Sequence, residues 1–309
     1  MILLWGVPGD PPLDAVHRAL LRRGAPTLLI DQRRAEGTTL TIEVERRLSG
    51  TLCVGMRSVP LEEISGFYLR PQDGAALGPT VRGAAEGAGR VGAALDDMLL
   101  VVAELTPAVV LNRPDAMASN SSKPYQYSPI RSVGFAVPDT VITTSPDAAR
   151  EFVARHGSVI YKSVSGVRSI VGELREVDTA RLSEVRWCPT QLQERIAGID
   201  VRVHVVGEEL FACEVRCEAV DYRYAHRTGH RVTLSRCQLP DDCAERCIAL
   251  ARATRLPLAG IDLRRTEEGA WYCFEINPSP GFTYYQHATG APIDAAIAKL
   301  LATSRPTRG

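Results

Sequence analysis

Two short apolar segments near the C-terminus, AGIDLRR (Ala259–Arg265) and WYCFEIN (Trp271–Asn277), are separated only by TEEGA. Both have strand composition, and the linker has the turn chemistry of a hairpin. Side chains alternate along a strand, so Glu275 and Asn277 share one face while Phe274 and Ile276 are expected on the other. Antiparallel pairing could then gather Asp262, Glu275 and Asn277 around one point. Buried carboxylates need a cation or several donors, and two carboxylates with an amide suit Mg²⁺, which keeps waters and bridges protein to phosphates. An N-cap or turn pair at the strand end is the competing explanation.

A chain of 309 residues can build a sizeable core and two or three subdomains. Lys+Arg and Asp+Glu are balanced at 36 each, so no field of one sign points to nucleic acid or an anionic membrane. Apolar runs such as MILLW and MLLVVAEL are too short to span a bilayer. No secretory leader is expected, and the protein is expected to be cytoplasmic. The eight cysteines include no C-x-x-C pair. A Cys₄ zinc site can be drawn through them, but reduced thiols acting as small hydrophobes fit the spacing better.

Along the chain, ILLW, TLLID, TLCVG and ISGFYLR look like strands. They alternate with a helix at LDAVHRALLRRG and a long helix at AEGAGRVGAALDDMLLVVAEL, before AVVLN. The pattern predicts a small α/β domain with a mainly parallel sheet. The early GVPGD is read as a turn, because it lacks phosphate-loop spacing and its prolines are taken to disfavour a helix start. The polar NRPDAMASNSSKPY then suggests a boundary. Beyond it a helix is expected at Tyr125–Val133, a strand at Thr140–Thr143, and a helix at Pro146–His156 capped by Ser145. Two strands around a small-residue turn (SVIYKSVSGVRSIV) come next. Then come QLQERIAG, DVRVHVVG and ELFACEVRC as antiparallel-type strands and DDCAERCIALARATR as a helix.

Lys162 ends an apolar strand ahead of a Ser/Gly turn whose amides could face a polyphosphate, although a solvated edge lysine looks the same. QLQERIAGID offers strand-end backbone groups to an adenine edge, with Asp200 able to accept from a ribose hydroxyl. Each signal is weak alone, and Lys123 is unremarkable by itself.

Together, in order, these parts resemble the ATP-grasp superfamily, nearest its RimK-like branch, from about residue 112 to the end. Within that branch the chain looks most like the peptide-modifying ligases that make microviridin-type graspetides. The segments that carry the likeness are GFAVPDTVITTSPDAAREF, VIYKSVSG, QLQERIAGIDVRVHVVGEELFACEV, DYR, GIDLRRTEEGAWYCFEINPSPGF and ATGAPIDAAIAKLL. YLRP at 68–71 is similar to an aromatic-Arg-Pro signature of these ligases.

The resemblance implies an α/β (α+β) ATP-grasp fold in three parts: a pre-ATP-grasp domain (1–112), a central subdomain (113–191) and a C-terminal subdomain with the metal site (192–309). It implies that Lys123 and Lys162 hold nucleotide phosphates and that Ser165–Gly166 closes over them. Glu194, Arg195 and Ile196 would form the adenine hinge, with Asp200 near the ribose. Arg195 stands where an aromatic or apolar residue is common in the family. Asp262, Glu275 and Asn277 would bind two Mg²⁺ ions, with Mn²⁺ as a substitute. Arg223, of Asp221-Tyr222-Arg223, would sit at the transferring phosphoryl group, with Arg202 and Arg216 as further polar contacts.

The expected activity is ATP-dependent joining of an acidic side chain of a ribosomal peptide to Lys, Ser or Thr, through an acyl phosphate. Ligation of free amino acids, or addition of glutamate to a protein, is the alternative within the fold. A non-catalytic nucleotide-binding module is a third reading, disfavoured by the intact Lys/Asp/Glu/Asn set. The basic run RYAHRTGHR is better explained as a solvated or substrate-facing loop than as a nucleic-acid contact. A precursor-type peptide is the expected partner, with a homodimer left open and no nucleic acid or membrane partner expected.

Overall fold

The protein is described from a computed structural model at residues 1–34, 36–44, 48–72, 88–118, 123–163, 172–217, 229 and 231–303. Strand β1 (Ile2–Gly6) is buried throughout, as a central strand of a parallel sheet covered on both faces must be. It pairs in parallel with β2 (Thr27–Asp31) and β6 (Gly66–Arg70), and β6 pairs in parallel with β7 (Val109–Leu111). Parallel pairing requires crossovers, and α1 (Pro11–Arg22) supplies the first. Ile2 and Leu4 pack with α1 on one face, whereas Leu3 and Trp5 pack on the other with α2 (Ala88–Leu105).

Two expectations for this region need correction. Prolines do not disfavour the helix start after GVPGD: Pro11 and Pro12 form the first turn of α1 behind Asp10, whose carboxylate accepts from Leu13 N at 3.0 Å. Proline loses no intrahelical hydrogen bond there, and its fixed φ suits a helix. The TLCVG strand is also not part of the parallel sheet. It belongs to β4 (Leu48–Val54), the middle strand of an antiparallel meander with β3 (Thr38–Val44) and β5 (Arg57–Pro60). Leu52 and Val59 of that meander join the core around α2.

Helices α3 (Pro114–Ala118) and α4 (Lys123–Ser132) follow. The next sheet is antiparallel, in the order β10 (Gly172–Glu173), β9 (Val159–Ser163), β11 (Thr190–Glu194), β8 (Thr140–Thr143). Helix α5 (Pro146–His156) starts as the sequence predicts, with Ser145 Oγ accepting from Ala148 N at 3.4 Å. Phe152 of α5, Leu182 and Val185 after the short α6 (Glu176–Thr179), and Val159 and Leu192 of the strands form a separate apolar core.

The last sheet runs β14 (Thr233–Cys237), β13 (Glu209–Arg216), β12 (Ile199–Val206), β15 (Leu258–Arg265), β16 (Trp271–Asn277), antiparallel throughout. Its pattern is DVRVHV on β12 and GIDLR on β15. Val201, Val203, Val205, Ile261 and Leu263 pack against α7 (Asp241–Ala253), and the polar alternates lie on the opposite face. Helices α8 (Thr283–Thr289) and α9 (Ile293–Thr303) close the chain. Ile297, Ala298 and Leu301 of α9 pack back onto α1 and β1. Among the described residues, no helix is long and apolar enough to cross a membrane.

Candidate active site

The hairpin expected at TEEGA forms: Thr266 N donates to Ala270 O at 2.9 Å, and Gly269 takes a positive φ of 87° at the turn. Its register places Asp262 opposite Glu275 and Gly260 opposite Asn277. Residues directly opposite share a face, so the three oxygen-bearing side chains stand on one surface of the sheet. The other face departs from simple alternation. A β-bulge between Asp262 and Leu263 pairs Leu263 with Cys273. Cys273 therefore joins Ile276 in the core, while Phe274 lies under the Arg264 guanidinium at 5.2 Å. The extra residue of the bulge is what re-aims Glu275.

Arg202 stands opposite Asp262 on β12 and donates to its Oδ1 at 2.7 Å. The guanidinium also lies 5.8 Å from the Tyr285 ring centroid. A Cβ at Gly260 would come within 2.1 Å of Arg202 Nη2 and 2.8 Å of Pro280 Cβ. Glycine at that position is what lets the arginine lie across the strand. Two residues on, His204 is buried against Tyr285, with ring centroids 5.1 Å apart. Burial and then the Arg202 charge push its pKa well below the ordinary histidine value, so the ring is neutral.

The β8–β11 sheet carries the second set of expected phosphate contacts. Lys162 is buried and stands opposite Gln191. Gln191 donates to the Tyr127 hydroxyl at 3.3 Å, and Tyr127 contacts Thr140 Oγ1 at 3.1 Å. The Tyr127 phenol is pushed up chiefly by burial, with the Glu275 charge adding to it. Tyr127 is thus hydrogen-bonded to two strands of the lysine sheet, with the Glu275 charge within electrostatic reach.

At the end of β11 the backbone turns toward β12. Glu194 Oε1 accepts from Asp139 N at 2.8 Å, and Arg195 N donates to Ser158 O at 3.0 Å. Arg195 itself is exposed and lies 3.6 Å from Glu173. Arg264 binds both ends of the turn, donating to Ile196 O and to Asp200 Oδ1, each at 2.7 Å. Thus Asp200, expected near a ribose, has a carboxylate oxygen engaged by Arg264. Arg216 is exposed on β13 and donates to Glu214 at 2.6 Å. Lys123 is the first residue of α4, and its side chain lies outside the described residues. Ser165, Gly166 and Arg223 also lie outside them.

Sequence reasoning missed the groups that fix the loop after Asn277. Asn112 Nδ2 donates to the carbonyls of Leu258 and Pro278, and its Oδ1 accepts from Leu258 N. Arg70, within the YLRP already singled out, donates to Ser279 Oγ at 3.1 Å and Pro280 O at 3.3 Å while held by Asp10 at 2.5 Å. Gln126 holds β16 from the other side through both the N–H and C=O of Ile276. Nothing local in the sequence marks Asn112 or Gln126 or shows what Arg70 holds, because these contacts to the loop and to β16 span 146 to 210 positions.

The donor set fits a hard divalent cation. Asp262 and Glu275 are adjacent carboxylates on one face, an arrangement that favours a positive charge between or beside them. Residues 130–301 match the family model described as the RimK-like ATP-grasp domain. The chain belongs to the RimK-like ATP-grasp family. It is therefore an ATP-grasp ligase, of a family that binds ATP and Mg²⁺.

Among solved structures this RimK-like ligase is similar to a RiPP-associated ATP-grasp ligase from Chryseobacterium gregarium, solved in complex with ADP and a leader and core peptide. The TM-score is 0.82 at 22% identity, covering 99% of this chain and 97% of that one. It is also similar to macrocyclase MdnC from Microcystis aeruginosa MRC, solved with precursor peptide MdnA. There the TM-score is 0.79 at 20% identity, covering 98% and 99% of the two chains. At these identities the likeness establishes the fold. A probable alpha-L-glutamate ligase from Photobacterium profundum is 25% identical over 204 residues, which is 63% of this chain and 67% of that protein. A second, from Aliivibrio salmonicida, aligns over 61% of its own length, so the chain spans about two-thirds or less of these relatives.

Proposed function

We propose that this ligase activates an acidic side chain of a ribosomally made peptide and joins it to a Lys, Ser or Thr of the same peptide. The observation that carries the reading is the extent of the architectural match. It takes in nearly the whole chain, including the parallel N-terminal sheet and its meander, in ligases solved with leader, core or precursor peptides. The sequence alignment with a glutamate ligase takes in about 63% of this chain.

In the proposed reaction an oxygen of the substrate carboxylate attacks the γ-phosphorus of ATP, the bond to the β-phosphate oxygen breaks, and ADP leaves. The resulting acyl phosphate is attacked by the amine or hydroxyl. Phosphate departs with the carboxylate oxygen, and the nucleophile loses its proton to give an amide or ester. Lys162 and Lys123 are proposed to hold phosphate oxygens, and the Ser165–Gly166 turn to cover them. The backbone at Glu194, Arg195 and Ile196 is proposed to receive the adenine, with Asp200 near the ribose. Asp262, Glu275 and Asn277 would hold Mg²⁺, in two ions, which offset charge on the transferring phosphoryl group. Arg202 extends that positive field from β12, and Arg223 and Arg216 are proposed as further cationic contacts. No side chain of the protein is covalently modified.

Incubation with ATP, Mg²⁺ and a panel of acidic peptides carrying Lys, Ser or Thr tests this by mass spectrometry. Loss of one water per bond formed is the expected result. A second reading, addition of glutamate to a peptide or small acceptor, is favoured by the curated relatives. It would appear in the same assay, supplied with free glutamate, as a mass gain.

A further inference from the structure

The loop that leaves β16, Pro278–Phe282, is held from several distant parts of the chain. Asn112 donates to Pro278 O, and Arg70 donates to Ser279 Oγ at 3.1 Å and to Pro280 O at 3.3 Å. Phe282 is fully buried in the same apolar core as Tyr68 of β6. The two prolines bring no N–H of their own, so the loop is fixed through its carbonyls, the Ser279 hydroxyl and the Phe282 ring.

Of these holds, Arg70 is the one that satisfying a carbonyl does not require. A neutral donor does that, as Asn112 shows, whereas a mostly buried guanidinium has to be matched by a carboxylate. Asp10 supplies the match, with Nε to Oδ2 at 2.5 Å, Nη2 to Oδ1 at 3.4 Å, and side-chain exposures of 14% and 17% for the pair. Asp10 is itself fixed, because its Oδ2 caps α1 by accepting from Leu13 N. With Nε and Nη2 facing Asp10, Nη1 is left for the loop. The planar fork therefore has one orientation, set by the start of α1 and the end of β6. Ser279, which it holds, lies two residues after Asn277.

We propose that Arg70, aimed by Asp10, is a positioning residue for the metal ligand Asn277. Held at Ser279 and Pro280, β16 ends in one conformation, and the Asn277 amide meets a cation without first having to be ordered. The parallel N-terminal sheet thereby supports a metal site built on the C-terminal sheet. Partners one step behind a ligand are commonly worth about 10- to 100-fold in metal affinity. The inference rests on the reading of Asn277 as a metal ligand and is independent of the peptide proposed above.

Mn²⁺ binding, read by electron paramagnetic resonance on the full chain with ADP and no peptide, tests it without any turnover. Arg70→Ala and Asp10→Ser should each weaken Mn²⁺ binding about tenfold. Serine keeps the cap of α1 and removes only the carboxylate. Arg70→Ala leaves a buried carboxylate unpaired, so the double variant Asp10→Ser/Arg70→Ala, which buries no charge, is measured beside it. The double variant should show the same loss of about tenfold, not the product of two, because both changes break one linkage. Asn277→Ala serves as the reference. Weakened binding in Asn277→Ala with native binding in the double variant would overturn the positioning role and leave the ligand standing. Native binding in Asn277→Ala would overturn both. A double variant that raises the KM for peptide while its Mn²⁺ binding stays native would make Arg70 a substrate contact and overturn the inference.

Discussion

Arg202 donates a 2.7 Å hydrogen bond across the β12–β15 pair to Asp262, and the strand beneath its guanidinium is glycine. The pair has side-chain exposures of 7% and 29%, so the arginine is enclosed while the carboxylate remains partly open. That asymmetry suits a carboxylate that serves a cation on its free side.

Gly260→Ala tests this packing. The added methyl would lie 2.1 Å from Arg202 Nη2 and 2.8 Å from Pro280 Cβ, so the guanidinium or the Pro278–Phe282 loop must move. Overpacking of this kind costs about 1–3 kcal/mol. The expected result is a lower melting temperature together with a loss of turnover larger than the change in ATP affinity. A variant with native activity would show that the position of Arg202 is immaterial.

Glu275→Ala and Asn277→Ala should abolish turnover with little effect on the fold, because both side chains are half-buried and lie outside the apolar core, which is held by Cys273 and Ile276. Circular dichroism melts and single-turnover assays across a Mg²⁺ titration separate the two effects. Unfolding of either variant, with activity lost in proportion, would make these residues structural.

The hairpin was legible because its chemistry is local: two strands of known period and a turn between them, with Asp262, Glu275 and Asn277 in the right phase. The bulge at Phe274 was not, since an extra residue changes the facing of side chains without changing composition. Helix α1 was legible, but its start was not, because Pro11 and Pro12 are breakers inside a helix and good residues at its first turn. The locks on the Pro278–Phe282 loop, Asn112 and Arg70, depend on contacts between distant segments. YLRP drew notice to Arg70, but no period or motif names the partners it holds.

His204 gives the stability a pH dependence. Its folded pKa lies well below its unfolded value of about 6.5, so the unfolded chain binds the proton first. Stability from this group is fully present above about pH 6.5 and falls as the pH drops below it, by at most about 1.4 kcal/mol per pH unit. His204→Gln should flatten the decline in melting temperature between about pH 7.5 and 5.5. An unchanged decline in the variant would assign it to other groups.

The thiols should react in two classes. Cys188 is exposed, whereas Cys243, Cys247 and Cys273 are fully buried. Burial pushes the Cys273 thiol up, and it pushes Cys213 up to about 11. Alkylation requires the thiolate, so mass spectrometry after brief treatment at neutral pH should find Cys188 labelled and the three buried thiols untouched until the protein unfolds. Elemental analysis should find no stoichiometric zinc, and one tightly held equivalent would overturn the reading of these thiols as hydrophobes.

The central claim, that a substrate carboxylate is activated as an acyl phosphate at the Asp262–Glu275–Asn277 surface, is tested most directly with a peptide carrying heavy oxygen in its acidic side chains. During bond formation one labelled oxygen should move into the inorganic phosphate, with ADP released in equal amount. Unlabelled phosphate, or AMP with pyrophosphate as the nucleotide products, would contradict it.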